Sequence, residues 1–215
     1  MELQIAHLKA NDPLLEHVID AVGPLSCHTE TDGFAFLVEA VIGQMLSAKA
    51  ADTIAKRVRT LLTEELTPQR LAGTDEQELR RCGLSGRKAR TLLDLASYLC
   101  THEEALSQLG ALSDSECMKR LTMHKGIGAW TAKMYLIFVL GRADILPYED
   151  GALRQAFFSV YGTDKEEAIK QRGALWSPYC SIACRYLYRY LDLGLTRGPG
   201  QESASAQGAP RLGSS

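Results

Sequence analysis

Two glycines, Gly126 and Gly128, interrupt a helical pattern and are separated by one apolar residue. The pattern resumes at once as a strongly apolar helix from about Ala129 to Leu140. So short a break between helices requires a tight hairpin, which glycine allows because it adopts backbone angles that other residues avoid. The hairpin is either a simple turn or a place where the first N–H groups of the second helix meet a phosphate.

Apolar residues recur with helical spacing along the rest of the chain, and no segment alternates as a β-strand does. Residues that favour the N-cap position precede several of these segments, and Pro13 stands at a first helical position. The predicted N-caps are Asn11 or Asp12, Thr31–Asp32, Ser47, Thr74 with Gln77, and Ser113 with Glu116. We therefore predict an all-α protein with about ten helices.

Length and composition are those of an ordinary globular protein. The 215 residues, 46% of them hydrophobic and 23% charged, are enough for one substantial core. No segment reaches the roughly 18 apolar residues that cross a membrane, and the N-terminus lacks the pattern of a secretion signal. We predict an intracellular, cytoplasmic protein that makes no contact with membranes.

Six cysteines are scattered along the chain, at positions 27, 82, 100, 117, 180 and 184. Cys180 and Cys184 would share a helix face, but no second pair stands at the spacing of a metal site. This pattern predicts buried, reduced thiols and no metal centre.

Charge is unevenly distributed along a chain whose net charge is -2. The overall balance argues against a dedicated nucleic-acid binder, which is usually basic. A basic cluster nevertheless precedes the hairpin, and it consists of Arg80, Arg81, Arg87, Lys88 and Arg90. Such a cluster is either a solvated helix face or a rim that holds a duplex through a few phosphates.

Four motifs occur in one order along residues 8–193: VIGQMLSAKAA at 41–51, GLSGRKAR at 83–90, GIGAWTA through LPYED at 126–150, and WSPYCSIA at 176–183. Arg154 and Phe157 follow the aspartate that ends the LPYED element by four and seven positions. Together these motifs resemble the helix-hairpin-helix DNA glycosylases, most closely the bacterial 3-methyladenine DNA glycosylase II branch.

The resemblance implies a fold of two lobes with the active site in the cleft between them. The module would span residues 1–195, with a middle lobe of about 33–140 and a second lobe from 1–32 plus 141–195. Residues 196–215 are rich in Gly, Ser, Ala and Pro, and we predict that they form a disordered tail.

The resemblance assigns the catalytic carboxylate to Asp150. Choosing Glu149 instead would change its spacing to Arg154 and Phe157, which mark the same positions in the family. A carboxylate near the anomeric carbon stabilises the positive charge that develops there and can orient or deprotonate water. The alternative is that Asp150 merely caps the next helix.

Trp130 stands where the bifunctional relatives of this family carry a lysine that forms a Schiff base. The predicted enzyme is therefore monofunctional, with Lys133 as the only nearby substitute amine. Trp130, Tyr179 and Met134 map to the base pocket, where aromatic faces attract a cationic alkylated purine. Trp130 as an ordinary core residue is the alternative.

DNA contacts are expected from the hairpin and from the turn at Gln44 and Met45. Gly126, Gly128 and Ala129 would hold a phosphate, and Lys125 would add a contact or lie exposed in solvent. Met45 would enter the base stack when the target nucleotide is flipped out, unless it packs in the core.

The resemblance implies damaged double-stranded DNA as partner, a monomer, and a nucleoid association in a bacterium. It implies no required cofactor, with a structural monovalent cation on the carbonyls of Thr122, His124 and Ile127 as an option. Some relatives carry a four-cysteine iron–sulfur loop after the catalytic region; this sequence lacks that loop, so we predict no iron–sulfur cluster. The predicted function is removal of alkylated purines such as 3-methyladenine in base excision repair, leaving an abasic site. The alternatives are a glycosylase for a deaminated or oxidised base and a non-catalytic DNA-binding protein.

Overall fold

The computed structural model describes residues 1–196, and this part of the chain contains twelve α-helices, one short 3-10 helix and no β-strand. The all-α prediction is confirmed. The α-helices are α1 (Glu2–Asn11), α2 (Pro13–Val22), α3 (Gly33–Gly43), α4 (Ala48–Leu61), α5 (Pro68–Ala72), α6 (Glu76–Arg81), α7 (Gly86–Thr101), α8 (Asp114–Thr122), α9 (Ala129–Phe138), α10 (Gly151–Tyr161), α11 (Glu166–Trp176) and α12 (Cys180–Asp192). The predicted tail lies outside the described residues, apart from Thr196.

Most of the predicted helix starts are confirmed by side chains that accept hydrogen bonds from the first turn. Asp12, Asp32 and Ser47 cap α2, α3 and α4, and Ser113 forms a complete capping box with Glu116. The prediction of Thr74 was wrong, because the next residue, Asp75, caps α6 through the N–H of Gln77. Helix α1 was not predicted, and its weak periodicity explains why, since Leu8 is its one buried residue.

Two compact units make up the described chain: residues 1–29 with 141–196, and residues 30–140. In the first unit, α12 packs against α2 and α10, and α1 packs against α2 and α11. A buried carboxylate, Asp12, organises this core. Its Oδ1 caps α2, while its Oδ2 accepts hydrogen bonds from the Tyr161 hydroxyl at 2.8 Å and the Trp176 indole at 2.9 Å.

The second unit, residues 30–140, contains α3 to α9. Helix α3 contacts α4, α7 and α9, and α7 also contacts α5 and α6. The apolar helix α9 is buried along most of its length, as its unbroken hydrophobic sequence predicts. Gly33 lies against Tyr135, since a β-carbon at Gly33 would stand 2.2 Å from the tyrosine hydroxyl.

The six cysteines are free thiols, as predicted; four are buried, whereas Cys27 and Cys100 are half-buried. Within residues 1–196, no helix is long and apolar enough to cross a membrane.

Candidate functional site

Asp150 is the N-cap of α10, and the side chain is almost entirely buried at 4% exposure. Its Oδ1 accepts a hydrogen bond from the N–H of Leu153 at 2.7 Å, and its own N–H donates to the carbonyl of Pro147 at 2.8 Å. Asp150 therefore does cap α10, as the alternative interpretation predicted. Capping does not exclude catalysis, because the capping bond uses one of the two carboxylate oxygens and a buried acid is unusual for a residue that only caps.

Tyr188, on α12, stands close to this carboxylate. Its pKa is raised well above the ordinary tyrosine value, first by burial and then by the negative charge of Asp150. The phenol of Tyr188 therefore remains protonated. Sequence reasoning missed Tyr188; the one signal was its place within the aromatic run RYLYRY at 185–190.

Tyr179 stands at the start of α12, where polar contacts join that start to the residues that lead to Asp150. Asp144 accepts hydrogen bonds from the Ser177 hydroxyl at 2.6 Å and the Cys180 N–H at 3.2 Å. Burial acts to raise the pKa of Asp144, but the hydrogen bonds from Cys180 and Ser177 together outweigh it, and the pKa is lowered overall. Ser181 adds two links nearby: its N–H donates to the Ala143 carbonyl, and its hydroxyl oxygen accepts the N–H of Ile145. The half-buried ring of Tyr179 meets His7 edge-on, with 5.3 Å between ring centroids.

The glycine hairpin lies between α8 and α9, and its two glycines serve different purposes. Gly126 has a φ of +94°, and a β-carbon there would stand 2.1 Å from Oγ1 of Thr91 on α7. Gly128 is exposed, has an ordinary φ of -93° and faces open space where its side chain would be. Gly128 is the N-cap of α9 and, as a glycine, supplies no side-chain acceptor to the first N–H groups of that helix.

The turn after α3 carries the two residues that were assigned to the intercalating wedge. Met45 is completely exposed, at 101% of its reference area, and has a φ of +58°. Met45 is therefore not a core residue. Gln44 is half-buried, and its amide donates to the Gly126 carbonyl at 3.1 Å and to the Thr131 hydroxyl at 3.3 Å. This turn and the hairpin are thus directly bonded within residues 30–140.

The remaining assigned residues lie on the hairpin or on α9. Trp130 is half-buried in the first turn of α9, and Met134 is buried one turn later. Lys125 is exposed, whereas Lys133 is half-buried. The His124 carbonyl accepts the N–H of Ile127 at 3.0 Å, and burial lowers the pKa of the His124 ring. Met134 therefore differs from Trp130 in accessibility, although both were assigned to the base pocket.

The basic cluster is not a uniform solvated face. Arg90 pairs with Glu76 at 3.6 Å, and Lys88 is turned inward onto backbone carbonyls, whereas Arg87 is exposed. In residues 1–196, no three His, Cys, Asp or Glu side chains are grouped as a metal centre would require.

Comparison with known proteins agrees with this arrangement. The sequence model described as "HhH-GPD superfamily base excision DNA repair protein" matches residues 38–179. The alkylbase DNA glycosidase-like protein mag2 of Schizosaccharomyces pombe is 29% identical over 192 residues, which cover 85% of this chain and 90% of that protein. The DNA-3-methyladenine glycosylase 1 of the same yeast is 30% identical over 196 residues, covering 85% and 84%.

A solved structure extends the similarity to three dimensions. The 3-methyladenine DNA glycosylase of S. pombe, in complex with abasic DNA, superimposes with a TM-score of 0.76 at 27% identity, covering 88% of this chain and 96% of that one. The family match includes the hairpin, Asp150 and Tyr179. This chain belongs to the HhH-GPD superfamily of base excision DNA repair proteins.

Proposed function

We propose that this protein is a monofunctional DNA glycosylase that hydrolyses the N-glycosidic bond of alkylated purines such as 3-methyladenine, leaving an abasic site. The observation that carries the proposal is the buried carboxylate of Asp150, held at a helix start in a chain with the family's hairpin. The names of the yeast relatives, which are glycosylases of 3-methyladenine or of alkylated bases, support this substrate class.

In the proposed reaction, Asp150 acts on the sugar and on water. As the C1′–N bond breaks, its electron pair leaves with the base and positive charge develops on the deoxyribose, where a nearby carboxylate stabilises it. Water then bonds to C1′ and transfers a proton to the carboxylate. A purine alkylated on a ring nitrogen is already cationic, so it departs as a neutral base. Tyr188, whose protonated hydroxyl lies near the carboxylate, would help to position it.

The absence of lyase activity is inferred from Trp130. A bifunctional enzyme needs an amine that forms a Schiff base with the sugar, and an indole cannot supply one. Lys133 is on the same helix but half-buried, and we propose no covalent role for it.

We assign Trp130, Tyr179 and Met134 to recognition of the flipped base. The partly exposed rings of Trp130 and Tyr179 can attract a cationic purine through stacking and cation–π interaction. Met134 is buried, so it would contribute by packing within residues 30–140 and not by touching the base.

We propose that the hairpin and the Met45 turn hold the duplex. Backbone N–H groups near Gly126, Gly128 and Ala129 would bind a phosphate, with Lys125 adding charge. Met45 would fill the gap that the flipped nucleotide leaves. Gln44, whose amide is already bonded to the hairpin, would act by holding these two elements together. The partner would be damaged double-stranded DNA in the cell interior, bound by a monomer that needs no cofactor, with or without a monovalent cation on the hairpin.

The test is base release from methylated duplex DNA by the wild type and by Asp150→Asn, with the released bases resolved by chromatography. Asparagine still caps α10, so the variant should fold, bind abasic-site duplex and lose base release by about a hundredfold or more. Glu149→Gln, one residue earlier, is the matched control and should retain activity.

Three outcomes would contradict the proposal. Release by Asp150→Asn at the wild-type rate would remove the carboxylate from the mechanism. A borohydride-trapped adduct of protein and DNA in good yield would contradict the monofunctional assignment. No release by the wild type from methylated, deaminated or oxidised duplexes, with binding intact, would favour the non-catalytic alternative.

A further inference from the structure

Lys88 is the one member of the basic cluster, within the part of the chain that the structure describes, whose side chain donates to backbone carbonyls outside its own helix. It lies in the first turn of α7, and its Nζ donates to the carbonyls of Ile42 at 2.8 Å and Gln44 at 2.6 Å. The side chain is half-buried, and burial followed by the charge of Arg87 lowers its pKa.

These two carbonyls belong to the end of α3, where the last backbone acceptors of a helix have no partner within the helix. A cation is favoured there because it opposes the negative end of the helix dipole. The chain then enters a left-handed backbone conformation at Met45, which is unfavourable for any residue with a β-carbon. Such a conformation persists only where surrounding contacts impose it.

Met45 cannot impose it, since its side chain is fully exposed. The contacts come from Gln44, which is held at both ends. Its carbonyl accepts from Lys88, and its amide donates to the Gly126 carbonyl and the Thr131 hydroxyl. The direction in which Met45 projects is therefore set by bonds of the preceding residue.

We propose that Lys88 is a positioning residue: it locks the turn that presents Met45 and keeps that turn in register with the glycine hairpin. Its ammonium binds backbone carbonyls of the protein itself and does not contact a DNA phosphate. This inference rests on the proposed glycosylase function, in which Met45 replaces a flipped nucleotide. Arg87, the exposed neighbour on the same helix, is the cluster member suited to a phosphate contact.

The experiment compares Lys88→Met with Arg87→Met, each of which removes one positive charge from α7. Base excision is measured on a methylated duplex and on the same strand without its complement. A misplaced wedge impairs only the duplex reaction, because a single strand requires no replacement of a stacked base. Lys88→Met should lower the ratio of duplex to single-strand excision about tenfold. Arg87→Met should reduce the salt dependence of binding and weaken excision from both substrates alike, so that the ratio of duplex to single-strand excision stays near that of the wild type.

A double-mutant cycle with Met45→Ala provides the second readout. If Lys88 acts through Met45, the combined variant should be no worse on duplex than Met45→Ala alone. Lys88→Arg, which keeps a donor cation at the same place, should restore part of the ratio. Additive losses, or an equal loss on duplex and single strand, would overturn the proposal, as would a salt dependence of Lys88→Met that matches that of Arg87→Met.

Amide hydrogen exchange tests Lys88 independently of activity. The N–H of Leu46 donates to the Gly43 carbonyl at 3.1 Å and reports directly on the turn. In Lys88→Met it should exchange about tenfold faster or more, while the amides of α10 keep their protection. Unchanged protection of Leu46 would refute the positioning role. If the wild type excised no base, the proposed function would fail, and this exchange result would still decide whether Lys88 holds the turn.

Discussion

Apolar side chains are usually buried and carboxylates usually exposed, and the Met45 turn and the start of α10 each depart from one half of this rule. At the turn an apolar side chain is fully exposed on a left-handed backbone, whereas at the helix start a carboxylate is almost wholly buried. The means of support differ too. Asp150 is bonded to the N–H three residues ahead, but the Met45 turn depends on Lys88 and on the hairpin.

The difference shows two ways in which a fold can carry a functional side chain. At Asp150, stability and proposed function coincide, since the acid that would act on the sugar also caps its helix. At Met45 they conflict, because the exposed side chain and the left-handed backbone both oppose stability. Mutations at the two places should therefore change the free energy of unfolding with opposite signs.

The largest expected effect concerns the hairpin that supports the Met45 turn. Gly126→Ala should lower the free energy of unfolding by about 3 kcal/mol, because the new methyl group overlaps Thr91 and the left-handed φ becomes strained. Urea denaturation of the purified variant would measure this loss.

Gly128→Ala is the matched control in the same hairpin. Its φ is ordinary and its side chain would meet open space, so the unfolding free energy should stay within about 0.5 kcal/mol of the wild type. Affinity for abasic-site duplex, measured by fluorescence anisotropy, should nevertheless fall. Equal stability of the two variants would contradict the division of roles between the glycines.

An intermediate effect is expected at Asp150. Asp150→Ala should destabilise the protein by about 1 kcal/mol, since the N–H of Leu153 loses its acceptor, whereas Asp150→Asn retains one and should cost only a few tenths. Both variants should lack base release. Thermal and urea unfolding of the pair would separate capping from catalysis; equal stability losses would mean that the charge, not the cap, stabilises this helix start.

The smallest effect, and one of opposite sign, is expected at Met45. Met45→Gly should stabilise the protein by about 0.5 kcal/mol, since glycine has no β-carbon penalty at positive φ and no packing is lost. Met45→Ala keeps the β-carbon and should leave stability unchanged. Both should impair excision from duplex more than from single strands. Urea titration would measure this change. A clear destabilisation by Met45→Gly would contradict the proposed difference between Met45 and Asp150.

The sequence predicted what depends on neighbours along the chain. Asp12, Asp32 and Ser113 cap helices because donor and acceptor lie two or three residues apart, and the two glycines by themselves indicate a hairpin. Where two adjacent residues compete for the same role, this reasoning fails, as at Thr74 and Asp75. Trp130 and Tyr179 entered the site only through the resemblance.

Long-range bonds were beyond local reasoning. Lys88 reaches carbonyls 46 and 44 residues earlier in the chain, and the amide of Gln44 bonds to a carbonyl 82 residues later. A lysine in a basic cluster gives no sign that its charge faces inward. Tyr188 was missed for the same reason, since only the packing of α12 against α10 brings a phenol to a carboxylate 38 positions away along the sequence.

The buried carboxylate of Asp12 determines where this protein can be shortened. The family match begins at residue 38, so a fragment designed from it would omit Asp12 altogether. The Tyr161 hydroxyl and the Trp176 indole would then lose the acceptor that both share in the core. Such a fragment would retain the hairpin and Asp150 and still be a poor choice for expression, because two buried donors without an acceptor lower the free energy of unfolding. Affinity tags and deletions at the N-terminus should therefore end before this aspartate.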